Sequence, residues 1–334
     1  TNLVGGNDGA VFPGGSFMLD LDGGFVECLP LWETGVASVD DISWPWTTEP
    51  ENTWRALTMG LGDFVRKNGF KGVVLGLSGG FDSALCAAIA VDALGADKVR
   101  AVMMPSEYTS KESLTDAQDV AKALGIRYDI LPIVEPFACF GKLLAPMFKG
   151  YSADTTEENL QARLRGVLLM ALSNKFGDLL LATGNKSEAS VGYATLYGDT
   201  CGGFAPINDL YKTDAYALAR WRNANHPAWI KNNILQIMPE RLITKAPTAE
   251  LHEGQKDEDS LPPYETLDGI LKLLVENDAG IEEAAAAGYD EDVVRKVYTL
   301  LHRAEFKRAQ GAPGVKLSRR SFNGDWHYPI TKKV

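Results

Sequence analysis

A glycine-rich turn between two apolar runs constrains this chain more than any other feature. Val73–Leu75 leads into Gly76-Leu77-Ser78-Gly79-Gly80-Phe81-Asp82-Ser83, and Ala84–Ala90 follows. This order predicts a strand, a tight turn and a helix. Backbone N–H groups at such a turn, with a helix N-terminus behind them, form an anion site. The hydroxyl groups of Ser78 and Ser83 add two donors, so the sequence predicts a loop that holds phosphate.

Asp82 is the unusual member of this loop, because a carboxylate repels phosphate unless a cation lies between them. Hard oxygen ligands favour Mg²⁺, so we expect a phosphate chain bound together with Mg²⁺. The loop lacks the Gly-Lys-Ser/Thr ending of a Walker A motif and the spacing of a dinucleotide loop. The structural alternative is a tight turn that caps a helix, with Asp82 at a favourable N-terminal position.

Helical and strand patterns alternate from about Thr53 onward. The predicted strands are Gly72–Leu77, Val99–Met104, Arg127–Leu131 and Leu179–Ala182. The predicted helices are Thr53–Lys67, Asp82–Leu94, Lys111–Leu124, Pro136–Phe148, Thr156–Phe176, Tyr264–Glu276, Ile281–Ala287 and Glu291–Lys307. The alternation predicts an α/β fold with a doubly wound parallel sheet flanked by helices. Ligands bind such sheets at the carboxyl ends of the strands, where Ser78, Pro105–Tyr108 and Thr183–Glu188 would lie.

The first 45 residues follow a different pattern. Asn7-Asp8-Gly9 and Phe12–Gly15 are turn signals, and Ser16–Leu21 with Phe25–Leu29 predicts a β-hairpin. A lone hairpin is only marginally stable in water, so we expect this segment to belong to another domain or to lie as an arm on the next one. We therefore divide the chain into residues 1–45 and 46–334.

Composition narrows the class of protein. The 334 residues are 45% hydrophobic, enough for a sizeable core, and the net charge of −11 argues against general nucleic-acid binding. Four scattered cysteines form no Cys-x-x-Cys pair, which argues against zinc. The sequence contains no run of 18 apolar residues, so it predicts no membrane-spanning helix. We expect a cytoplasmic enzyme that binds neither membrane nor nucleic acid.

A second group of polar residues follows the last predicted strand. Thr183 can donate a hydrogen bond to a nucleotide, and Glu188 offers a second carboxylate for a cation, although a first-turn helix acid is the simpler explanation of Glu188. The segment Tyr193–Ile207 is rich in glycine and aromatic residues, and Lys212 follows it. Such a segment suits a planar, phosphorylated ligand.

The loop Ser78–Ser83 resembles the pyrophosphate loop of the N-type ATP pyrophosphatases, which have an adenine nucleotide alpha hydrolase-like fold. Further segments occur in the order found in NAD synthetases: Glu157–Arg163, Thr183–Glu188, Tyr197–Asp199, Leu210–Thr213, Pro247–Leu251, Gln255–Tyr264 and Phe306–Arg308. The Asn-Leu-Gln-Ala-Arg and Asp-Ser-Leu-Pro-Pro-Tyr forms resemble the glutamine-dependent branch. The resemblance covers about Thr53–Ile330.

The N-terminal segment fits the same branch. Asn2–Phe17 resembles the last part of its nitrilase-like glutaminase (amidohydrolase) domain. The catalytic Cys, Glu and Lys of that domain lie upstream of this region, and Cys28 is not at a matching position. The resemblance implies a C-terminal remnant of the glutaminase domain, joined to a synthetase domain that uses ammonia.

The resemblance implies a ligase of NAD biosynthesis. ATP would adenylate deamido-NAD and release pyrophosphate; ammonia would then displace AMP. Asp82 and Lys212 would be catalytic, and Asp82 and Glu188 would bind Mg²⁺. ATP would contact Gly76, Leu77, Ser78, Gly79, Gly80, Phe81, Asp82, Ser83, Thr183, Lys212 and Thr248. Deamido-NAD would contact Asn159, Arg163, Glu188, Tyr193, Ala194, Thr195, Leu196, Asp199 and Lys307. The family also implies a homodimer or higher homo-oligomer.

Simpler explanations remain for some of these residues. Arg163 with Glu158 could form a helix-surface pair, and Tyr193 could pack in the core. Two other functions also remain open. One is another amidotransferase with this loop, acting on a nucleotide or an amino acid, such as a GMP synthetase. The other is a non-catalytic module that uses the loop to sense ATP. The long polar segment Thr248–Pro262 suits a lid over ATP.

Overall fold

A parallel sheet forms the centre of the structure, and two antiparallel strand pairs precede it. The computed structural model describes residues 2–36, 48–255 and 257–331. The strands are β1 (Val4–Asn7), β2 (Ala10–Pro13), β3 (Phe17–Leu19), β4 (Phe25–Cys28), β5 (Val73–Gly76), β6 (Val99–Met103), β7 (Arg127–Ile130) and β8 (Leu179–Leu180). The helices are α1 (Glu49–Lys67), α2 (Phe81–Leu94), α3 (Lys111–Leu124), α4 (Val134–Leu144), α5 (Thr155–Phe176), α6 (Lys186–Val191), α7 (Lys212–Ala224), α8 (Glu240–Thr244), α9 (Tyr264–Leu271), α10 (Ile281–Ala286), α11 (Glu291–Arg303) and α12 (Glu305–Arg308).

The central sheet has the strand order β7-β6-β5-β8, and all its pairs are parallel. Val73 lies opposite Val99 on one side and Leu179 on the other. A parallel bridge between Leu181 and Phe204 extends the β8 edge. The predicted α/β fold with a parallel sheet flanked by helices is confirmed. The strands are one or two residues shorter than predicted, because the apolar runs continue into the loops beyond the last paired residue.

Both faces of the sheet are buried, as in a doubly wound fold. Val73 and Leu75 belong to a core with α1, α2 and α3, whereas Val74 between them packs in a second core with Leu169 of α5 and Ile133. Successive side chains of a strand point to opposite faces. The continuous apolar run of β5 therefore serves two helical layers at once.

Several helices differ from their predicted bounds for local reasons. Helix α1 begins at Glu49 rather than Thr53, with Pro50 in its first turn. Proline is tolerated there because the N–H groups of a first turn have no hydrogen-bond partner within the helix. The segment Tyr264–Glu276 is an α-helix that ends in a π-helical turn over Lys272–Glu276. The predicted helix Glu291–Lys307 divides at Ala304 into α11 and α12.

The first two N-terminal strands, β1 and β2, pack on helix α1 of the main body. The predicted hairpin is present as β3 and β4, whereas the pair β1–β2, joined by Asn7-Asp8-Gly9, was not predicted. The Gly6 N–H donates to Asp63 Oδ2 of α1 at 2.8 Å, and the Lys316 N–H donates to the Gly9 carbonyl at 2.8 Å. The proposed boundary at residue 45 lies outside the described residues. Within the described ranges, none of the helices is long and apolar enough to cross a bilayer.

A buried ion pair ties α2 to α7 away from the sheet ends. Asp92 Oδ2 accepts from Arg222 Nε at 2.8 Å and from Trp54 Nε1 at 2.9 Å. Asp92 Oδ1 accepts from Asn232 Nδ2 at 2.6 Å. Both charged side chains are almost completely buried, so each depends on the other for compensation of its charge.

Replacement of Asp92 by alanine should therefore destabilise the protein by about 3–5 kcal/mol, because it leaves Arg222 buried without a counter-charge. The free energy of unfolding in urea measures the effect. The control is Glu240→Ala, which removes the exposed ion pair with Arg220 and should cost no more than about 1 kcal/mol. Equal losses in the two variants would contradict this prediction.

Candidate active site

A cavity opens at the carboxyl ends of β5, β6 and β8. Its volume is about 380 Å³. The loop after β5, the start of α6 and the N-terminal turn of α7 all line it. Because parallel strands all end at one edge of the sheet, segments far apart in the sequence meet here. The cavity is therefore at the place where the fold predicts a ligand.

The loop between β5 and α2 has the shape of an anion cradle. Gly79 has φ +81°, and a Cβ at this position would collide with the Ser113 carbonyl, so glycine is required on both counts. Gly80 caps α2 without a side-chain hydrogen bond. The first N–H groups of α2 therefore keep their capacity to bind a ligand. The Ser83 hydroxyl donates to the Gly80 carbonyl at 3.0 Å and holds the turn closed.

A buried lysine lies between two carboxylates at this cradle. Lys212 begins α7 and is only 2% exposed. Its Nζ pairs with Asp82 Oδ2 and lies 3.8 Å from Glu188 Oε1. Burial opposes the charge of Lys212, but the two carboxylates outweigh it and raise the pKa of Lys212 above its usual value. Lys212 is therefore charged and aimed at the loop that would hold phosphate.

Glu188 both caps a helix and faces the cavity. Its Oε2 accepts from the Asn185 N–H at 3.3 Å, and the Asn185 side chain accepts from the Glu188 N–H at 3.0 Å, which forms a capping box on α6. Asn185 Nδ2 also donates to Asp82 Oδ1 at 3.1 Å. Burial and the nearby Asp82 raise the pKa of Glu188 to about 8, although Lys212 opposes the shift. Glu188 is therefore a first-turn helix acid, as the simpler explanation states, and it also lines the cavity.

The N-terminus of α7 is fixed by side chains from two other helices. The Lys212 N–H donates to Ser187 Oγ of α6 at 2.9 Å. The Thr213 N–H and hydroxyl donate to Asp268 Oδ2 of α9 at 2.9 and 2.8 Å. Asp268 also accepts from the Ser187 hydroxyl. These contacts orient Lys212, and nothing in the local sequence around Asp268 indicated them.

A third carboxylate adds negative charge to the same region. Asp257 lines the cavity and is buried, and its Oδ2 accepts from the Tyr264 hydroxyl at 2.9 Å. Burial raises the pKa of Asp257, with hydrogen bonds from Tyr264 and Tyr193 in opposition. Asp257 belongs to the segment Gln255–Tyr264 that carries the family resemblance, but the sequence alone assigned it no role.

The predicted site residues fall into two groups. Those that line the cavity are Gly76–Ser83, Thr183, Glu188, Tyr193, Ala194, Asp199, Lys212, Thr248 and Lys307. Those that do not are Asn159, Arg163, Thr195 and Leu196. The second group makes its own contacts: Thr195 Oγ1 donates to Asn159 Oδ1 at 2.7 Å, and Arg163 Nε donates to the Leu196 carbonyl at 3.2 Å.

Three predicted residues make contacts that shape the cavity wall. Lys307 Nζ donates to the carbonyls of Gly192 and Ala194, each at 2.7 Å. The Thr248 hydroxyl donates to the Gln255 carbonyl at 2.6 Å. Tyr193 lines the cavity and also packs against the C-terminal core.

Comparison with known proteins identifies the family. The family model described as NAD synthase matches residues 53–311, which include the loop, Lys212 and Glu188. The chain belongs to the NAD synthase family. A glutamine-dependent NAD(+) synthetase from Rhodobacter capsulatus is 49% identical over 345 residues, which cover 99% of this chain and 62% of that protein. The chain therefore spans about three fifths of this relative's length.

Two solved structures resemble this member of the NAD synthase family. The glutamine-dependent NAD+ synthetase from Acinetobacter baumannii in complex with ADP has a TM-score of 0.66 and 43% identity, covering 98% of this chain and 60% of that one. The NH3-dependent NAD synthetase from Campylobacter jejuni in complex with a nitrate ion has a TM-score of 0.61 and 28% identity. That match covers 78% of this chain and 96% of the other.

The donor set of this NAD synthase family member suits a hard cation only in part. Among the described residues, no three His, Cys, Asp or Glu side chains are arranged to hold a metal ion. Asp82 and Glu188 supply carboxylate oxygens, which Mg²⁺ prefers, and Mg²⁺ at nucleotide sites takes its other ligands from phosphate and water. The two carboxylates fit an ion that arrives with ATP.

The raised pKa of Glu188 makes the stability of the ligand-free protein depend on pH. The native state keeps this proton up to about pH 8, whereas the unfolded carboxyl loses it near 4.5. The stabilisation is therefore complete below the unfolded pKa and is lost as the pH rises through the folded one. Glu188→Gln, which cannot titrate, should flatten the fall in the urea midpoint between about pH 5 and 8. The control, Glu282→Gln at an exposed position of α10, should keep the wild-type slope; an unchanged slope in Glu188→Gln would refute the prediction.

Proposed function

We propose that this chain catalyses the ATP-dependent amidation of deamido-NAD to NAD, with release of AMP and pyrophosphate. Ammonia is the nitrogen donor, and glutamine supplies it in the full-length family. One observation carries the proposal: Lys212, between Asp82 and Glu188, faces the uncapped N-terminus of α2 in a member of the NAD synthase family. The named relatives are NAD synthetases, which favours this reaction over that of a GMP synthetase.

The chemistry requires an activated carboxylate. A free carboxylate is a poor acceptor for ammonia, so the nicotinate carboxylate attacks the α-phosphorus of ATP and pyrophosphate leaves. Ammonia then attacks the acyl carbon, and AMP leaves with the former carboxylate oxygen. Negative charge grows on the departing pyrophosphate, where fixed cations and backbone N–H groups stabilise it.

The phosphate chain binds at the loop Gly76–Ser83. The open N–H groups of α2 and the hydroxyl of Ser78 face the phosphates, and Lys212 moves from Asp82 toward them. Thr183 and Thr248 line the same cavity and contact ATP. The Lys212 N–H donates to Ser187 Oγ, so the start of α7 stays in place while the Lys212 side chain turns from Asp82 toward the phosphates.

Asp82 and Glu188 would hold Mg²⁺ together with the phosphates. When bound, Mg²⁺ neutralises phosphate charge and makes pyrophosphate a better leaving group. The ion would also relieve the repulsion between the two carboxylates, which contributes to the raised pKa of Glu188. Lys212 partly performs that task in the structure, through its pair with Asp82.

Deamido-NAD would bind along the α6 side of the cavity. Tyr193, Ala194, Asp199 and Lys307 line that side. Asn159, Arg163, Thr195 and Leu196 form the neighbouring cluster outside the cavity. The dinucleotide is long enough to extend from one group to the other, with its nicotinate carboxylate directed toward ATP.

The decisive experiment measures NAD and pyrophosphate formed from ATP, Mg²⁺, deamido-NAD and ammonium. We expect equal amounts of both products, and no NAD when glutamine replaces ammonium. Asp82→Asn should keep the fold and lose at least about 100-fold in rate, because it removes a metal ligand and the charge beside Lys212. Binding of ATP without either product would favour the non-catalytic sensor, and rapid glutamine-driven turnover would contradict the ammonia-only activity of this chain.

Residues 1–45 are proposed as the C-terminal part of a glutaminase domain, and 46–334 as the synthetase domain. In support, the match covers only 62% of the Rhodobacter relative. In addition, the β3–β4 hairpin exposes Phe17, Leu21 and Phe25, and clustered apolar exposure is typical of an interaction surface. The predicted cytoplasmic location stays a prediction.

We also propose that the chain forms a homodimer through the exposed apolar face of α4 and α5. Its exposed apolar side chains are Phe140 and Leu143 of α4 and Val167 and Met170 of α5, with Met147 just beyond the end of α4. Arg163 lies on the same side of α5 as Val167 and Met170, at helical spacing of four and seven residues. A partner on this face would also cover the substrate cluster around Arg163.

The dimer predicts a charge-sensitive assembly. Leu143 is 68% exposed, and Leu143→Glu should convert the protein to a monomer in sedimentation analysis, because it would bury an unpaired carboxylate. Leu235→Glu, at a loop position that is 70% exposed, is the matched control and should remain dimeric. A wild-type protein that sediments as a monomer at micromolar concentration would refute the proposal.

A further inference from the structure

Arg165 is a partly buried cation in the cavity that forms no ion pair with a carboxylate in the described part of the chain. It lies on α5 and lines the cavity, and its Nε donates to the Met104 carbonyl at 3.0 Å. Among the described residues, no carboxylate lies within 4 Å of its guanidinium nitrogens, whereas comparable arginines have such a partner. Arg222 pairs with Asp92 and Arg308 with Glu305.

Glu250 and Asp199 are the two carboxylates that act electrostatically on Arg165, but each accepts hydrogen bonds from other residues. Glu250 accepts from the hydroxyls of Ser110 and Ser113, each at 2.8 Å. Asp199 Oδ1 accepts from the Thr195 N–H at 2.7 Å. Burial lowers the pKa of Arg165 to about 10, although Glu250 and Asp199 oppose the shift. The guanidinium therefore remains charged at neutral pH without a direct ion pair.

The position of Arg165 indicates which ligand group would compensate it. Met104 follows the end of β6, and its side chain lies beside Gly76, where an added Cβ would be 3.4 Å from Met104 Cε. Leu169, one turn after Arg165 on α5, lies equally close to Gly76. Arg165 therefore reaches the side of the cavity where the phosphate loop begins. The predicted deamido-NAD residues Tyr193 and Lys307 line the α6 side, and Asp199 is the member of that group whose charge acts on Arg165.

Helix geometry separates Arg165 from its neighbour Arg163. Two residues along an α-helix are rotated by about 200°, so the two guanidinium groups leave α5 on opposite sides. Arg163 is exposed and bonds to Leu196, whereas Arg165 enters the cavity. The motif Asn-Leu-Gln-Ala-Arg-Leu-Arg therefore supplies one arginine to each of two surfaces.

We propose that the Arg165 guanidinium binds a phosphate of ATP, an inference that rests on the proposed function. A guanidinium presents two parallel N–H donors to phosphate oxygens. The phosphate would supply the negative charge that pairs with the Arg165 guanidinium. In the ligand-free protein the uncompensated charge costs stability, and this cost is removed when ATP binds.

Arg165→Met tests the proposal, because binding and stability should change in opposite directions. We expect the Kd for ATP with Mg²⁺, measured by calorimetry, to rise about 10- to 100-fold. The Kd for deamido-NAD should stay within about twofold. The melting temperature without nucleotide should stay the same or rise, because an unpaired charge has been removed. Arg165→Lys should recover part of the ATP affinity, since it restores the charge but not the paired donors.

The matched control is Arg100→Met. Arg100 is a partly buried arginine that pairs with Asp129 and lies 3.7 Å from Asp178. Its loss should lower the melting temperature and leave the Kd for ATP unchanged. An unchanged Kd for ATP in Arg165→Met would overturn the proposal, as would weakened binding of deamido-NAD alone. A wild-type protein that binds ATP but forms no NAD would refute the proposed function. The role of Arg165 in ATP binding would still be decided by these titrations.

Discussion

The structure of the cavity depends on the contact of Lys212 with Asp82 and Glu188. The three side chains lie in the first turns of three different helices, α7, α2 and α6, and Lys212 and Asp82 are 130 residues apart in the chain. A buried ammonium without the carboxylates would cost several kcal/mol, and each carboxylate would be as unfavourable alone. The contact therefore ties the helix starts together and keeps Lys212 charged for a ligand.

The sheet makes this contact possible, and the sheet was predictable. Buried parallel strands are continuous apolar runs, and Val73–Leu75 or Leu179–Leu181 are recognisable without distant partners. The loop after β5 was also recognisable, because Gly79 meets a local requirement for positive φ and for close approach to the Ser113 carbonyl. By contrast, the placement of Lys212 opposite Asp82 depends on contacts that no local pattern contains. Only the family resemblance connected the two residues.

The residues that sequence reasoning missed act through tertiary contacts. Asp268 holds the start of α7 from another helix, and Asn185 bridges α6 to Asp82. Arg165 differs from Arg163 in the face of α5 on which it lies, and the orientation of α5 is set by the packing of Leu169 against sheet residues such as Val74 and Leu180. The pair β1–β2 was missed because both strands have only four residues and β1 contains two glycines. It is stabilised by contacts with α1, among them the Gly6 N–H bond to Asp63 and the packing of Val11 against the core.

The cavity contains unbalanced charges of both signs. The acidic groups Asp82, Glu188 and Asp257 surround Lys212 in the cavity, and no carboxylate among the described residues forms an ion pair with Arg165, which also lines it. Phosphate alone would compensate the charge of Arg165 but would be repelled by the carboxylates around Lys212. A cation alone would be attracted by those carboxylates but would leave the charge of Arg165 uncompensated. ATP with Mg²⁺ brings both charges in one complex. The unbalanced arrangement thus gives a physical reason why nucleotide and metal should bind together, and why the protein should be more stable with them than without.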